Sequence, residues 1–171
     1  MKNETPDPFL QAISLGALAG MRSNAGPAAA SHILSQQYSA ELAKTPLKFM
    51  QSPRVSNVLK VLAIGEFIGD KLPMAGDRIV PVSLMFRSCA GALAGASLYK
   101  ASGNNAIKGA VLGAAAAFGS TFASFYLRKA FVENTHIPQP VAGLLEDALV
   151  VAGAAYLAGH AEDEFSDLVK A

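Results

Sequence analysis

A run of 19 residues without a charged side chain, Gly109 to Leu127, most restricts how this chain folds. A helix of that length rises ~1.5 Å per residue and is long enough to cross the ~30 Å hydrocarbon core of a membrane. Within it, Gly109, Gly113, Ala117 and Thr121 recur every four residues, so small side chains follow one helical face. Such a face favours close helix packing. The run therefore predicts a membrane helix with one buried face.

Four other apolar segments bring the expected number of membrane spans to about five. They are residues 9–34, 58–73, 81–101 and 141–159. The predicted fold is therefore an all-α, polytopic helical bundle that forms one integral domain over residues 1–171. We expect a multi-pass membrane protein surrounded by the lipid bilayer. An unusually Ala-rich soluble bundle is the alternative.

The first of these segments is unsuited to a continuous helix. Gly20, Arg22, Asn24, Gly26 and Pro27 fall together near its middle. Proline removes a backbone hydrogen-bond donor and disfavours helical geometry in the residue before it. The cluster predicts a kink, an unwound turn or a re-entrant hairpin at this point.

Composition excludes several classes of function. The net charge is +1 and basic residues are scattered, which argues against a nucleic-acid partner. A single cysteine excludes an internal disulfide. The three histidines lack the spacing of a metal-binding pair, and no Gly-rich phosphate loop follows a strand. We therefore expect no catalytic residues, no metal and no cofactor.

An arginine motif occurs twice in the chain. Arg22-Ser-Asn-Ala-Gly26 is followed 65 residues later by Arg87-Ser-Cys-Ala-Gly91. Both lie in apolar, small-residue surroundings, where a charge persists mainly if it faces a protein interior or a water-filled path. The motif predicts an internal repeat with halves of roughly residues 9–74 and 79–160. Whether the halves are parallel or inverted stays open.

The polar residues within the apolar segments form the candidate substrate- or ion-binding site. They are Arg22, Asn24, Glu66, Asp70, Arg87, Glu146 and Asp147. An ionised side chain near the middle of a membrane costs ~2.5 to 3.5 kcal/mol on insertion scales, so we expect these groups to pair in the interior. Four carboxylates face two arginines, so either some of the acids are protonated because of desolvation, or they lie near the membrane interface, or the site holds a cation, a proton or a positively charged solute.

Structural explanations compete for each acidic pair. Glu66 and Asp70 lie four residues apart on one helical face and suit an ion-pair surface for helix packing. Glu146 and Asp147 follow Pro140 closely, where carboxylates complement the positive end of a helix dipole.

Several of these pieces resemble a family of small bacterial inner-membrane proteins known as a domain of unknown function. The matching pieces are Gly20-Met-Arg22 with Gly26-Pro27, Glu66-Phe-Ile-Gly-Asp70-Lys71-Leu-Pro73, Arg87 with Gly91-Ala-Leu-Ala-Gly95, and Glu146-Asp147. They occur in the right order over most of the chain. The resemblance implies an all-helical, multi-pass fold in the bacterial inner (cytoplasmic) membrane and no particular activity.

The function we expect is a small membrane transporter or channel, coupled to a proton or a cation. We expect a homo-oligomer, because five short helices make a thin wall around any path. One alternative is an accessory or scaffold subunit whose charges serve only as structural pairs. Another is a lipid-binding membrane factor.

Overall fold

The computed structural model is all-helical over the residues that it describes, 7–69, 80–135 and 138–170. The helices are α1 Pro8–Met21, α2 Ala25–Gln36, α3 Ala40–Ala43, a 3-10 helix Pro46–Gln51, α4 Pro53–Gly69, α5 Pro81–Ala101, α6 Ala106–Thr135 and α7 Gln139–Lys170. The all-α prediction is confirmed. Two described helices are long and apolar enough to cross a membrane, α6 and the part of α7 over residues 141–160.

Helices α1, α5 and α6 pack with their backbones nearly touching. Gly113 of α6 lies against Gly91 of α5 and against Gly16 of α1, and a Cβ on any of these glycines would overlap the facing main chain. Along α6, the four-residue series that includes Ala117 and Thr121 is buried throughout. The small-residue face predicted from the sequence is therefore confirmed, and its partners are helices of the same chain.

The first apolar segment turns back on itself. Helix α1 ends at Met21 and α2 begins at Ala25, and Gly26 packs directly against Leu15 and Ala19. A straight helix would separate positions 19 and 26 by ~10 Å. The segment is thus a hairpin of two short antiparallel helices. The predicted interruption of the first segment is therefore present, as a turn between two helices.

Contacts between helices fix the direction of the others. Helices α1 and α6 are parallel, because Gly16 lies against Gly113 and Gly20 lies against Ala117. Helix α5 is antiparallel to α6, because Gly91 lies against Gly113 and Gly95 lies against Gly109. Helix α4 runs antiparallel to α2, because Glu66 lies beside Asn24 and Lys60 beside His32. Helix α7 is antiparallel to α1, because Asp147 lies near Arg22 and Gly153 lies near Leu18. Helices α1, α2, α4, α5, α6 and α7 therefore alternate in direction.

The segment between α2 and α4 closes one end of the bundle, which we term the near end. Leu42 and Met50 are fully buried there. Ser31 Oγ donates a hydrogen bond to the Met50 carbonyl, and Ser39 Oγ donates one to the Ala101 carbonyl at the end of α5. On the surface of this segment, the ammonium of Lys44 lowers the pKa of the Glu41 carboxyl. The opposite end, where α5 and α7 begin, is the far end.

Candidate functional site at the helix break

The chain between α1 and α2 leaves backbone groups of both helix ends without partners in their own helices. The last carbonyls of α1 and the first N–H groups of α2 meet at residues 20–24, inside the bundle. Such groups must bind side chains or water, because burying them without a partner costs free energy. We refer to residues 20–24 as the break.

Arg87 binds the α1 side of the break. Its Nη1 donates to the carbonyls of Gly20 and Met21 at 2.7 and 2.8 Å, and its Nε donates to Ser83 Oγ at 3.3 Å. Thr121 Oγ1 also donates to the Gly20 carbonyl at 3.0 Å. A guanidinium at the negative end of a helix dipole is favourable in charge as well as in hydrogen bonding.

Glu66 binds the α2 side. Its Oε1 accepts a hydrogen bond from the Ser23 backbone N–H at 2.7 Å, and its Oε2 accepts from the Asn24 backbone N–H at 2.8 Å. Asn24 Nδ2 donates a third bond at 3.1 Å. Within the described part of the chain, all the groups that bind this carboxylate are uncharged N–H donors. The N-cap residue of α2, Asn24, forms no capping hydrogen bond with its own side chain. Glu66 of α4 instead binds backbone N–H groups at the start of α2.

Arg22, within the break, points towards α7. Its Nη2 forms an ion pair with Asp147 Oδ1 at 2.5 Å, and both side chains are almost completely buried. The guanidinium also lies 5.6 Å from the centre of the Phe67 ring, within range of a cation–π contact. Residues that are 125 positions apart in the sequence are therefore joined at the centre of the fold.

Of the seven predicted site residues, the structure brings Arg22, Asn24, Glu66, Arg87 and Asp147 together at the break. Glu146 pairs with Arg128 of α6 at 3.7 Å. Asp70 lies outside the described residues. An arginine–carboxylate pair is present between Arg22 and Asp147, and the described contacts of Arg87 and Glu66 include backbone groups of the break.

Two residues outside the predicted site, Arg128 and Thr121, bind a predicted site residue or the break. Arg128, which directly follows the uncharged run of α6, pairs with the predicted site residue Glu146. Thr121 belongs to the buried series on α6, and its hydroxyl was the one signal that this face also carries a hydrogen-bond donor.

A cavity of about 430 Å³ lies beside the break. Its lining includes Ser23, Asn24, Glu66 and Ser83, with Phe86 and Ala90 of α5. Carboxylate, amide and hydroxyl oxygens are the ligands that hard cations prefer. The cavity combines a negative charge with neutral polar groups, which suits a small cation or a proton.

The family model described as Domain of unknown function (DUF4126) matches residues 9–161. No curated protein and no solved structure matches the chain. The match covers most of the sequence, and the chain therefore belongs to the DUF4126 family.

Proposed function

We propose that this protein is a small membrane transporter or channel in which Glu66, at the break of the α1–α2 hairpin, binds a cation or a proton. The observation that carries the proposal is a carboxylate that lines a polar cavity where a helix is interrupted inside an apolar bundle. Transporters commonly form their binding sites at such discontinuous helices.

The distribution of side chains supports a membrane setting. Arg22 and Arg87 are 1% and 4% exposed, whereas Leu127 and Val61 are 70% and 68% exposed. A soluble protein normally shows the opposite pattern, and large exposed apolar areas mark contact with a partner or a membrane. We propose that α4, α5, α6 and α7 cross the inner membrane and that the α1–α2 hairpin enters it from the near end.

The charges of the described site indicate the sign of the ligand. Arg22 pairs with Asp147, and the positive charge of Arg87 is directed at carbonyl oxygens. The negative charge of Glu66 borders the cavity. This carboxylate is the charged group that lines the cavity, so it would attract a cation or a proton there and repel an anion. We also propose self-association, since the bundle forms only a thin wall around a path.

Flux through liposomes tests this function. We expect purified protein in liposomes to carry protons, Na⁺ or K⁺, read with a pH-sensitive dye and with cation-selective dyes. Glu66→Gln should reduce the flux at least tenfold, because the amide has no negative charge. Glu41→Gln is the matched control at the surface and should leave the flux unchanged. Normal flux in a folded Glu66→Gln protein would remove the basis of the proposal.

A second function is favoured by one specific observation. Each described charged group at the break already binds a group of the same chain, so the arrangement is explicable without a ligand. This favours an accessory or scaffold subunit. Exchanging the charges, with Arg22→Asp combined with Asp147→Arg, should then preserve function, and a stoichiometric partner should co-purify. Absence of cation flux together with such a partner would select this function.

A further inference from the structure

A groove runs along the outside of α2, away from the Glu66 cavity. Helices α4 and α7 both pack on α2, and between them lies a cavity of about 550 Å³. Its floor consists of small residues, including Ala25, Ala28 and Ala29, and Phe67 and Val150 contribute to its walls. The volume is within the usual range for a small-molecule site.

One pair of polar side chains interrupts this apolar lining. Lys60 Nζ lies 3.0 Å from His32 Nδ1. Among the described residues of the groove, these are the ones with a charged or titratable side chain. An ammonium beside an imidazole is a binding site for an anionic oxygen, and both groups are able to donate hydrogen bonds to it.

The pair lies towards the near end of the groove. Lys60 is seven residues after the start of α4 at Pro53, or ~10 Å along the helix, within reach of the membrane surface for a flexible side chain. The groove extends along α7 from Gly159 to Val150, about 13 Å. That length is close to half of the ~30 Å hydrocarbon core, which is one leaflet.

We infer that the groove binds one acyl chain of an anionic phospholipid, whose phosphate contacts Lys60 and His32. The apolar floor accommodates the chain, the basic pair recognises the headgroup charge, and the length fits a single leaflet. A transmembrane helix from a second copy fits less well, because it would require a groove that continues through both leaflets. The inference rests on the proposed membrane setting and is independent of cation flux.

Lipid binding to the purified full-length protein in a mild detergent tests the inference. We expect phosphatidylglycerol to raise the melting temperature and to give bound-lipid peaks in native mass spectra. Phosphatidylcholine with the same acyl chains should bind at least fivefold more weakly. Equal binding of the two lipids would overturn the role of the basic pair.

Matched variants separate the headgroup from the groove. Lys60→Gln should remove the preference for phosphatidylglycerol, and Lys60→Arg should retain it. Lys108→Gln, an exposed residue near the same end, should have no effect. If Lys60→Gln and Lys108→Gln reduce the preference equally, the effect is general surface charge and the inference is wrong.

The acyl-chain part has its own control. Ala155→Phe would fill the groove and should weaken binding of both lipids at least fivefold, whereas Ala152→Phe, exposed on α7 outside the groove, should not. Glycerol phosphate that binds as tightly as the lipid would show that the groove contributes nothing. A loss of dimers on Ala155→Phe, with lipid binding unchanged, would identify a second copy as the occupant and overturn the inference.

Discussion

Arg22 and Asp147 form an ion pair that joins the break between α1 and α2 to helix α7. Because both groups are buried, removing Asp147 leaves the Arg22 guanidinium in the interior without this carboxylate. We expect Asp147→Asn to lower the free energy of unfolding by about 3 to 5 kcal/mol. Denaturant unfolding in detergent micelles would measure this loss.

Two further variants check that the loss reflects pairing. Arg22→Gln combined with Asp147→Asn should recover part of the stability, because the double variant buries no charge. Glu41→Gln removes surface ion pairs with Lys44 and Lys100 and should lower the free energy of unfolding far less than Asp147→Asn does. A double variant as unstable as the sum of the single variants would argue against coupling.

The close contact between α5 and α6 predicts that the effect of a glycine-to-alanine substitution on stability depends strongly on its position in α6. Gly113→Ala places a methyl group against the backbone of Gly91 and should cost about 1 to 3 kcal/mol. Gly119→Ala, in open space on the same helix, should be neutral or stabilise by roughly 0.5 to 1 kcal/mol. Thermal melts of the two variants compare them directly. Equal effects would contradict the packing described here.

Arg87 should control the mobility of the break. In Arg87→Gln, the Gly20 carbonyl keeps its bond from Thr121, whereas the Met21 carbonyl loses a charged donor. Bonds of this kind contribute about 1.5 to 3 kcal/mol. We expect faster amide hydrogen exchange in peptides that cover residues 20–25. Arg54→Gln at the near end is the control and should leave that exchange rate unchanged.

The single cysteine, Cys89, reports on the membrane setting without any engineered label. Its side chain is exposed on α5, two residues from Arg87. In the proposed orientation this surface faces lipid, so membrane-impermeant maleimides should react with it much more slowly in liposomes than in unfolded protein. A Cys89→Ser chain with Ser102→Cys, in the turn after α5, should react rapidly. Rapid labelling of Cys89 in the folded protein would instead indicate a water-facing surface.

The sequence predicted local features of this fold better than distant ones. Gly26, Pro27 and the polar residues before them identified the helix interruption, since the physical cause lies in the neighbouring residues. The four-residue spacing on α6 likewise identified its buried face. Both signals are contained within one turn or one helix.

The sequence did not indicate which side chains of different helices contact each other across the bundle. Charge counting indicated that Arg22 meets a carboxylate but not that the carboxylate belongs to Asp147. It gave no sign that Arg87 binds the carbonyls of Gly20 and Met21, because these carbonyls become available as acceptors only where α1 ends. The duplicated motif is placed unequally, with Arg22 in the break and Arg87 within α5.

The α1–α2 hairpin also decides at which end of the bundle helix α1 begins. With the first segment folded back, the chain makes an even number of long passes, and α1 starts at the same end of the bundle at which α7 finishes. A single unbroken first helix would have made that number odd and placed the start of α1 and the end of α7 at opposite ends. In the proposed membrane setting, the three residues between α1 and α2, Arg22 to Asn24, therefore decide whether the number of crossings is even or odd, and reporter groups fused before α1 and after α7 are expected in one compartment.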